Sequence, residues 1–323
     1  ASSKIEGLRV SPQQVALAEL ASTEVSVKSG FTTNAALVAN NITALRQAAT
    51  ELAQADVIDI AAVNRLHRAL LPTERHQGLR TVQNWIGGND WNPIDAEFVP
   101  PPPERVPALM ADLCDYLSGS VHGPLVQAAM AHAQFETIHP YADGNGRVGR
   151  ALIHTVLVRR GLTPAALLPI SLVFLTRSRE YIGGLNSYRH VGAPGGAAAR
   201  DRVSKWLSLA FDAAVIAAQQ AELFSDNIAT LTDQWHDRLA DYRTSQGRRA
   251  LPRADSAQAK LVEILPELPV ATARTTQRAL GVSFPAARAA LEELAEARIL
   301  RRKQVDRGTT GYLATEVFDL LTF

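Results

Sequence analysis

Residues 139–150 read HPYADGNGRVGR, and almost every side chain in that run has a chemistry of its own. Histidine is the side chain best matched to accept a proton near neutral pH. Pro140 bars a helix from continuing, so the periodic segment before it must end at His139, with the imidazole facing a loop. Asp143, four residues on, supplies an oxygen of the kind that holds Mg²⁺ between phosphates. Gly144 and Gly146 lack the Cβ atoms that keep a ligand away from backbone N–H groups, and Asn145 adds a side-chain donor. A second periodic segment opens here, and its N-terminus completes an anion site. Arg147 and Arg150 are three apart and share a face of that helix. Two cations at a helix N-terminus oppose the helix dipole, and a bound anion resolves the conflict. The run suits a phosphate-rich ligand and a proton transfer. It is not a P-loop, because no Gly-Lys-Ser/Thr follows.

Helical periodicity dominates the elements around this run. Residues 11–29, 32–56 and 57–70 carry apolar positions at three- and four-residue spacing, with alanine-rich filling. The texture changes at 78–107, where β-branched and aromatic residues flank Gly87, Gly88, Asn89 and Asp90, the pattern of a hairpin or flap. Pro100 to Pro103 predict a short polyproline II segment. Helices are expected again at 105–119, 123–138, 146–160, 164–175, 178–189 and 200–240, with a loop at 192–196. The polar, Gly- and Pro-containing stretch 244–256 is the best domain boundary. Beyond it, helical stretches at 256–266, 272–280 and 284–297 precede an alternating segment with a Gly turn, the order of a winged helix-turn-helix.

Composition narrows the field. The 323 residues suffice for about two domains, taking roughly 150 residues each. Lys+Arg 33 against Asp+Glu 32 exerts no bulk pull toward nucleic acid or membrane. Cys114, the single cysteine, excludes an intrachain disulfide and reads as a small buried hydrophobe in a reducing compartment. The longest apolar run, 165–175, contains Pro and Ser and falls short of the roughly 20 residues that span a bilayer. The first residues lack signal-peptide order. A cytoplasmic protein without a membrane partner is expected.

The spacing His-Pro-aromatic-x-acid-Gly-Asn-Gly-Arg-x-x-Arg resembles the signature of the Fic family, with Tyr141 in the aromatic place. The stretches GLRTVQNWIGG (78–88) and AEFVPPPPERVPALMADL (96–113) are similar to the family's flap and the helix after it. REYIGGLNSYR (179–189) and VSKWL (203–207) resemble the segment that closes over the nucleotide base. SSKIEG (2–7) is similar to the inhibitory motif Ser/Thr-x-x-x-Glu-Gly/Asn. The resemblance covers roughly residues 1–240.

That resemblance implies an all-α Fic fold over 1–243, interrupted by one β-hairpin flap near 78–100 and followed by a small winged helix-turn-helix domain at 256–323. It implies transfer of AMP from ATP to a Ser, Thr or Tyr hydroxyl of a target protein or of the chain itself, releasing pyrophosphate. His139 would be the general base, and Asp143 would ligate Mg²⁺ (or Mn²⁺) at the α- and β-phosphates. Gly144, Asn145 and Gly146 would cradle the phosphates, within an ATP-binding run that includes Val148 and Gly149. Arg147 would neutralise the leaving pyrophosphate and Arg150 would hold the γ-phosphate. Ile86, Gly87, Gly88 and Asn89 would cover the ATP and offer a strand edge to the target. Tyr181, Leu185 and Arg189 would lie near adenine. In the N-terminal motif, formed by Ser2, Glu6 and Gly7, Glu6 would pair with Arg150 and restrain the enzyme. A homodimer is left open.

Other readings compete. One is a Fic-fold transferase that uses another nucleotide donor or also removes AMP; the other is a non-enzymatic DNA-binding regulator. DNA binding is weakly supported, because 283–300 holds only Arg288 and Arg298 against three glutamates, although 301–303 is basic.

Overall fold

The computed structural model describes residues 5, 9–24, 27, 30–71, 77–89, 91–119, 121–163, 168–190, 193, 195–306 and 308–321. Packing divides the chain into two units: Ala1–Leu8 with Asn40–Ala221, and Arg9–Ala39 with Glu222–Phe323.

The first unit is helical. Its elements are the later part of α2 (Thr33–Gln54), α3 (Ile60–Leu70), α4 (Val106–Ser118), α5 (Pro124–Ile138), α6 (Asn145–Arg159), α7 (Ile170–Thr176), α8 (Ser178–Tyr188) and the start of α9 (Ala197–Ser245). Asp59 caps α3, accepting from Ala62 N at 2.7 Å, and the helix buries Ala62, Val63, Leu66, His67 and Leu70, one face at helical spacing. α4 buries Val106, Met110, Leu113, Cys114 and Leu117 in the same way. α5 is buried on most sides, from Ala128 to Ile138, and packs lengthwise on α6, whose Val148, Leu152, Val156 and Leu157 are fully enclosed. These two helices form the centre of the core and hold the 139–144 loop between them. Cys114 is buried, and desolvation, then Asp59 and Asp115, push its thiol up to about 11, as suits a packing residue. The flap's strand pairing is a single antiparallel bridge, Ile86 to Phe98.

The second unit is built from α1 (Pro12–Thr23), the end of α9, α10 (Ala257–Ile264), β1 (Val270–Ala271), α11 (Ala273–Leu280), α12 (Phe284–Glu296), β2 (Arg301–Asp306), β3 (Thr309–Leu313) and α13 (Thr315–Asp319). The strands form an antiparallel sheet in the order β1-β3-β2. Ser256, Thr272 and Ser283 cap the three central helices through their hydroxyls.

The 244–256 boundary expected from composition is a turn inside this second unit. Leu231, Trp235 and Leu239 recur every four residues on α9 and are buried with Leu261, Leu291 and Leu294. α1 also belongs here: Leu17, Leu20 and Val27 pack with Val270, Val305 and Leu313, and buried Glu24 meets Arg278 at 2.6 Å. Gly and Pro mark where a helix stops; they carry no information about which core its face joins. One 18-residue window of α9 has a mean hydropathy of 1.2, long and apolar enough to cross a bilayer by length and composition, where 165–175 falls short. On the same helix Trp206, Ala210, Ala213 and Ala217 are buried in the first unit's core.

Candidate active site

The site begins where α5 stops. The residue before a proline is driven out of the α region, and His139 caps α5 with φ +48°, a left-handed conformation that is costly for any residue but glycine. Its backbone N–H still donates to Phe135 O at 2.9 Å. The buried Arg80 holds the strained turn from outside: Nε donates to His139 O at 2.9 Å and its backbone N–H to Pro140 O at 2.8 Å. The same guanidinium reaches Val82 O at 3.3 Å and Pro101 O at 2.5 Å, tying both stems of the flap to the histidine turn. Asn84 adds Nδ2 to Tyr141 O at 3.0 Å.

The loop is closed by its own side chains. Asn145 Oδ1 accepts from Tyr141 N at 2.9 Å, and its Nδ2 donates to Tyr141 O at 2.8 Å. That amide shapes the cradle from beneath. Tyr141 is buried, stacks on His67 at 3.9 Å and donates its hydroxyl to Asn64 Oδ1 at 2.8 Å. The Asp143 carbonyl lies 3.0 Å from His67 Nε2. Gly144 has φ +81°, and a Cβ there would lie 2.4 Å from Leu71 Cδ1, so only glycine fits. α6 starts immediately after it, so the N–H groups of its first turn have no intrahelical partner and form an anion site. Val148 and Gly149, from the anticipated ATP-binding run, lie in the core: Val148 is fully buried, and a Cβ on Gly149 would meet Glu136 Oε1 at 2.4 Å and His132 Nδ1 at 3.0 Å. Gly149 lets α5 and α6 approach.

Charge is graded along the loop. The Asp143 side chain is 59% exposed; its Oδ1 accepts from Gly144 N at 2.6 Å and its Oδ2 lies 3.2 Å from Arg147 NH2. Arg150 is buried at 2% exposure. Desolvation, and after it the Arg189 guanidinium, push the His139 imidazole down to about 4; Arg80 adds to this and the Glu136 backbone opposes it. His139 is therefore neutral at pH 7, with its proton-accepting form fully populated. Its Nδ1 lies 3.9 Å from Glu136 Oε2. A single outward carboxylate beside an anion site fits a Mg²⁺ or Mn²⁺ ion shared with phosphate oxygens better than an all-protein cage. Among the described residues no group of three or more His, Cys, Asp or Glu is arranged to hold a metal ion by itself.

The flap turns at two consecutive left-handed glycines, Gly87 (φ +76°) and Gly88 (φ +74°). Trp85 Nε1 donates to Asn89 O at 2.7 Å, and Asn89 Oδ1 accepts from Trp91 and Asn92. Ile86 bridges to Phe98. Tyr181 and Leu185 are buried; Tyr181 stacks on Phe174 at 4.4 Å, and its hydroxyl lies 2.9 Å from His132 Nε2. Tyr181 also lines a cavity of about 350 Å³ with Val173, Phe174, Arg177, Leu209 and Asp212, none of them on the 139–150 loop. Arg189 instead lies against the flap, its guanidinium 4.0 Å from the centre of the Phe98 ring. Ser2, Glu6 and Gly7 fall outside the described residues.

Sequence reasoning missed Arg80, His132 and Glu136. Glu136 was within reach, since it precedes His139 by one helical turn. Arg80 had no local signal, because its acceptors come from residues 82, 101, 138 and 139.

Residues 57–157 match the Fic/DOC family. The Caenorhabditis elegans protein adenylyltransferase fic-1 is 32% identical over 133 residues, 39% of this chain and 23% of that protein. The Drosophila willistoni protein adenylyltransferase Fic is 36% identical over 129 residues, 38% of this chain and 24% of that protein. The chain thus matches about a quarter of the length of these curated relatives. A crystal structure of a Fic family protein from Desulfovibrio desulfuricans superposes with a TM-score of 0.55 at 21% identity, covering 97% of this chain and 83% of that one, and so shares its fold. Helix, strained histidine turn, glycine-capped anion loop and flap stand together over residues 57–157, and in that stretch the chain carries a Fic domain.

Proposed function

We propose that this chain is a protein adenylyltransferase that moves AMP from ATP to a hydroxyl of a target protein and of itself. The single observation that carries the reading is the 139–150 turn: a neutral imidazole, an outward carboxylate and a glycine-capped helix N-terminus all bordering one loop. Phosphorus-centred transfer asks for little else than positioning and charge neutralisation. His139 takes the proton of the acceptor hydroxyl as its oxygen bonds to the α-phosphorus. The bond from that phosphorus to the α–β bridging oxygen breaks, and pyrophosphate leaves with the electron pair. Asp143 is the residue that would hold Mg²⁺ or Mn²⁺ beside the phosphates, and the ion would supply neutralisation of their charge. The α6 N-terminus and Arg147 receive the pyrophosphate, and Arg150 the γ-phosphate. The flap's bridge at Ile86 and its exposed Trp91, Ile94 and Val99 support docking of a target strand along this edge.

Restraint by the N-terminal motif belongs to the same reading. Glu6 would pair with Arg150 and deny the γ-phosphate its guanidinium, with Ser2 and Gly7 shaping the segment. In the second unit, the order α10-β1-α11-α12-β2-β3 supports a winged-helix reading. The non-enzymatic DNA-binding alternative loses weight on one observation. Arg302, the central cation of the basic strand, is bound by Glu292 at 2.6 Å and Glu296 at 2.6 Å of α12.

The test is incubation with ATP labelled at the α- or the γ-phosphate, with Mg²⁺ or Mn²⁺, for wild type and Glu6→Gly. Incorporation of α-label only, strongly raised by Glu6→Gly, is the expected result. Incorporation of γ-label would indicate kinase chemistry, and no incorporation from any nucleotide together with DNA retention would favour the regulator.

A further inference from the structure

We propose that Arg189 is a positioning residue that latches the flap to the base: its guanidinium stacks on Phe98 of the flap while it hydrogen-bonds the last turn of α5, one turn before His139. The inference rests on the transferase reading above and assigns Arg189 to the acceptor side of the reaction, not to the adenine. Three elements meet at this one side chain. NH1 donates to Asn186 Oδ1 at 3.0 Å, which anchors the head to the end of α8. NH2 donates to Glu136 O at 3.1 Å. The Cζ of the head lies over the Phe98 ring, 4.0 Å from its centre. Among the described residues Arg189 Nε is buried without a hydrogen-bond partner, so the head is held by these three contacts.

Gln83 Nε2 also joins the flap's stems, donating to Pro100 O at 2.9 Å, but among its described residues the paired part is small. Its strand pairing is one bridge, between Ile86 and the same Phe98. Trp91 is 90% and Ile94 83% exposed, so the turn carries little buried apolar surface of its own. Arg80 ties the stems, and Arg189 reaches the paired part. A cation stacked on an aromatic face is a directional contact. Arginine makes it with a planar fork that also hydrogen-bonds at its edge, which a lysine cannot do. The same head lies close enough to His139 for its charge to oppose protonation of the imidazole. The charged groups around His139 are Glu136 on its own helix, Arg80 from the flap stem and Arg189 from the end of α8. Asp143 and Arg147 pair with each other at 3.2 Å, and Glu97 of the flap lies near Arg189. One residue thereby sets the flap's distance from the base and helps keep the base ready.

The test uses the full chain in the Glu6→Gly background, with Arg189→Gln, Arg189→Lys and Phe98→Leu. Self-transfer at saturating ATP, its pH profile, the ATP dissociation constant and the His139 titration by NMR are measured. Arg189→Gln is expected to lower the transfer rate about 10- to 100-fold, the scale of a small misplacement at a reacting centre, with ATP affinity within about twofold. It should also move the acid limb and the His139 titration to higher pH. Arg189→Lys should keep the low titration but not the rate, and Phe98→Leu should lower the rate while leaving the titration in place. A simple folding defect would lower ATP affinity together with rate in all three variants, and that outcome overturns the proposal. An unchanged rate and titration in Arg189→Gln overturns it as well. An inactive parent would instead refute the transferase reading, and the NMR titration would still decide whether Arg189 acts on His139.

Discussion

Two faces of this molecule place arginines beside a helix, and they use them in opposite ways. On the first, Arg147 and Arg150 stand in the opening turns of α6, where the helix dipole is unfavourable to cations and favourable to anions. The Asp143 carboxylate beside them is 59% exposed and meets Arg147 at 3.2 Å, a loose pair at the surface. On the second, Arg302 of β2 is clasped by two carboxylates of α12, and Tyr312 donates to Glu292 at 2.6 Å. Tyr312, with Arg302 after it, holds the Glu292 carboxyl below its usual range, and the two glutamates hold the Arg302 guanidinium protonated. The first face sets its cations against the helix dipole; the second holds its cation between two carboxylates. Basic residues alone therefore do not identify a phosphate site. What distinguishes it is cations placed where the fold does not reward them.

The comparison breaks most visibly at His139. His139→Ala should lower AMP transfer by about 10²- to 10⁴-fold, the usual contribution of a positioned base, while ATP binding by calorimetry stays near wild type. Transfer near the parental rate in the Glu6→Gly background would remove His139 from the mechanism.

Next in size is Gly144→Ala. The substituted residue would keep a φ of +81° and place its Cβ 2.4 Å from Leu71 Cδ1. A destabilisation of about 1–3 kcal/mol is expected for the backbone strain, with ATP affinity lost in parallel as the loop shifts. Unchanged melting and binding would show that the cradle is more pliant than its geometry implies.

Acid sharpens the contrast from another side. Burial, the largest cause in each case, pushes His132 down to about 3 and His139 and His154 to about 4, from 6.5. The unfolded chain takes up protons that these folded sites refuse, so their contribution is full above about pH 6.5 and is lost as pH falls from there toward 4. At pH 5.5 the loss should be about 1 kcal/mol per histidine, read as a falling urea midpoint. A flat midpoint between pH 6.5 and 4.5 would mean that these histidines are not buried neutral.

The smallest effect belongs to the balanced face. Arg302 is 43% exposed, so Arg302→Ala should cost no more than about 1 kcal/mol. Glu292→Gln with Glu296→Gln should free that cation and give the chain a steeper, salt-dependent retention on duplex DNA than the wild type shows. Strong wild-type retention at physiological salt would mean that the ion pairs do not shield the face.

Much of the first unit was legible in the sequence because its determinants are local. Pro140 ends α5, Gly144 starts α6, and residues 106–117 show their buried face by spacing alone. Even the strain at His139 follows from the residue after it. The flap was legible as a glycine-bearing turn, yet its pairing shrinks to one bridge, since Gly87 and Gly88 bend the chain away at once. The division of the chain was not legible. Leu17, Leu20, Trp235 and Leu239 have the same helical spacing whichever core they enter, and they enter the second.

The sequence by itself determined the helix ends, the glycine-capped loop and the order of proton acceptor, carboxylate and arginines along it, because each depends on residues a few positions apart. Only the tertiary structure decided that Arg80 stitches the histidine turn to both stems of the flap, that Asn145 braces the loop, and that Arg189 rests on Phe98. It alone decided that Arg302 is already neutralised. Those choices depend on partners tens of residues away, and an isolated side chain carries its charge and shape but not the address of the group that will meet it.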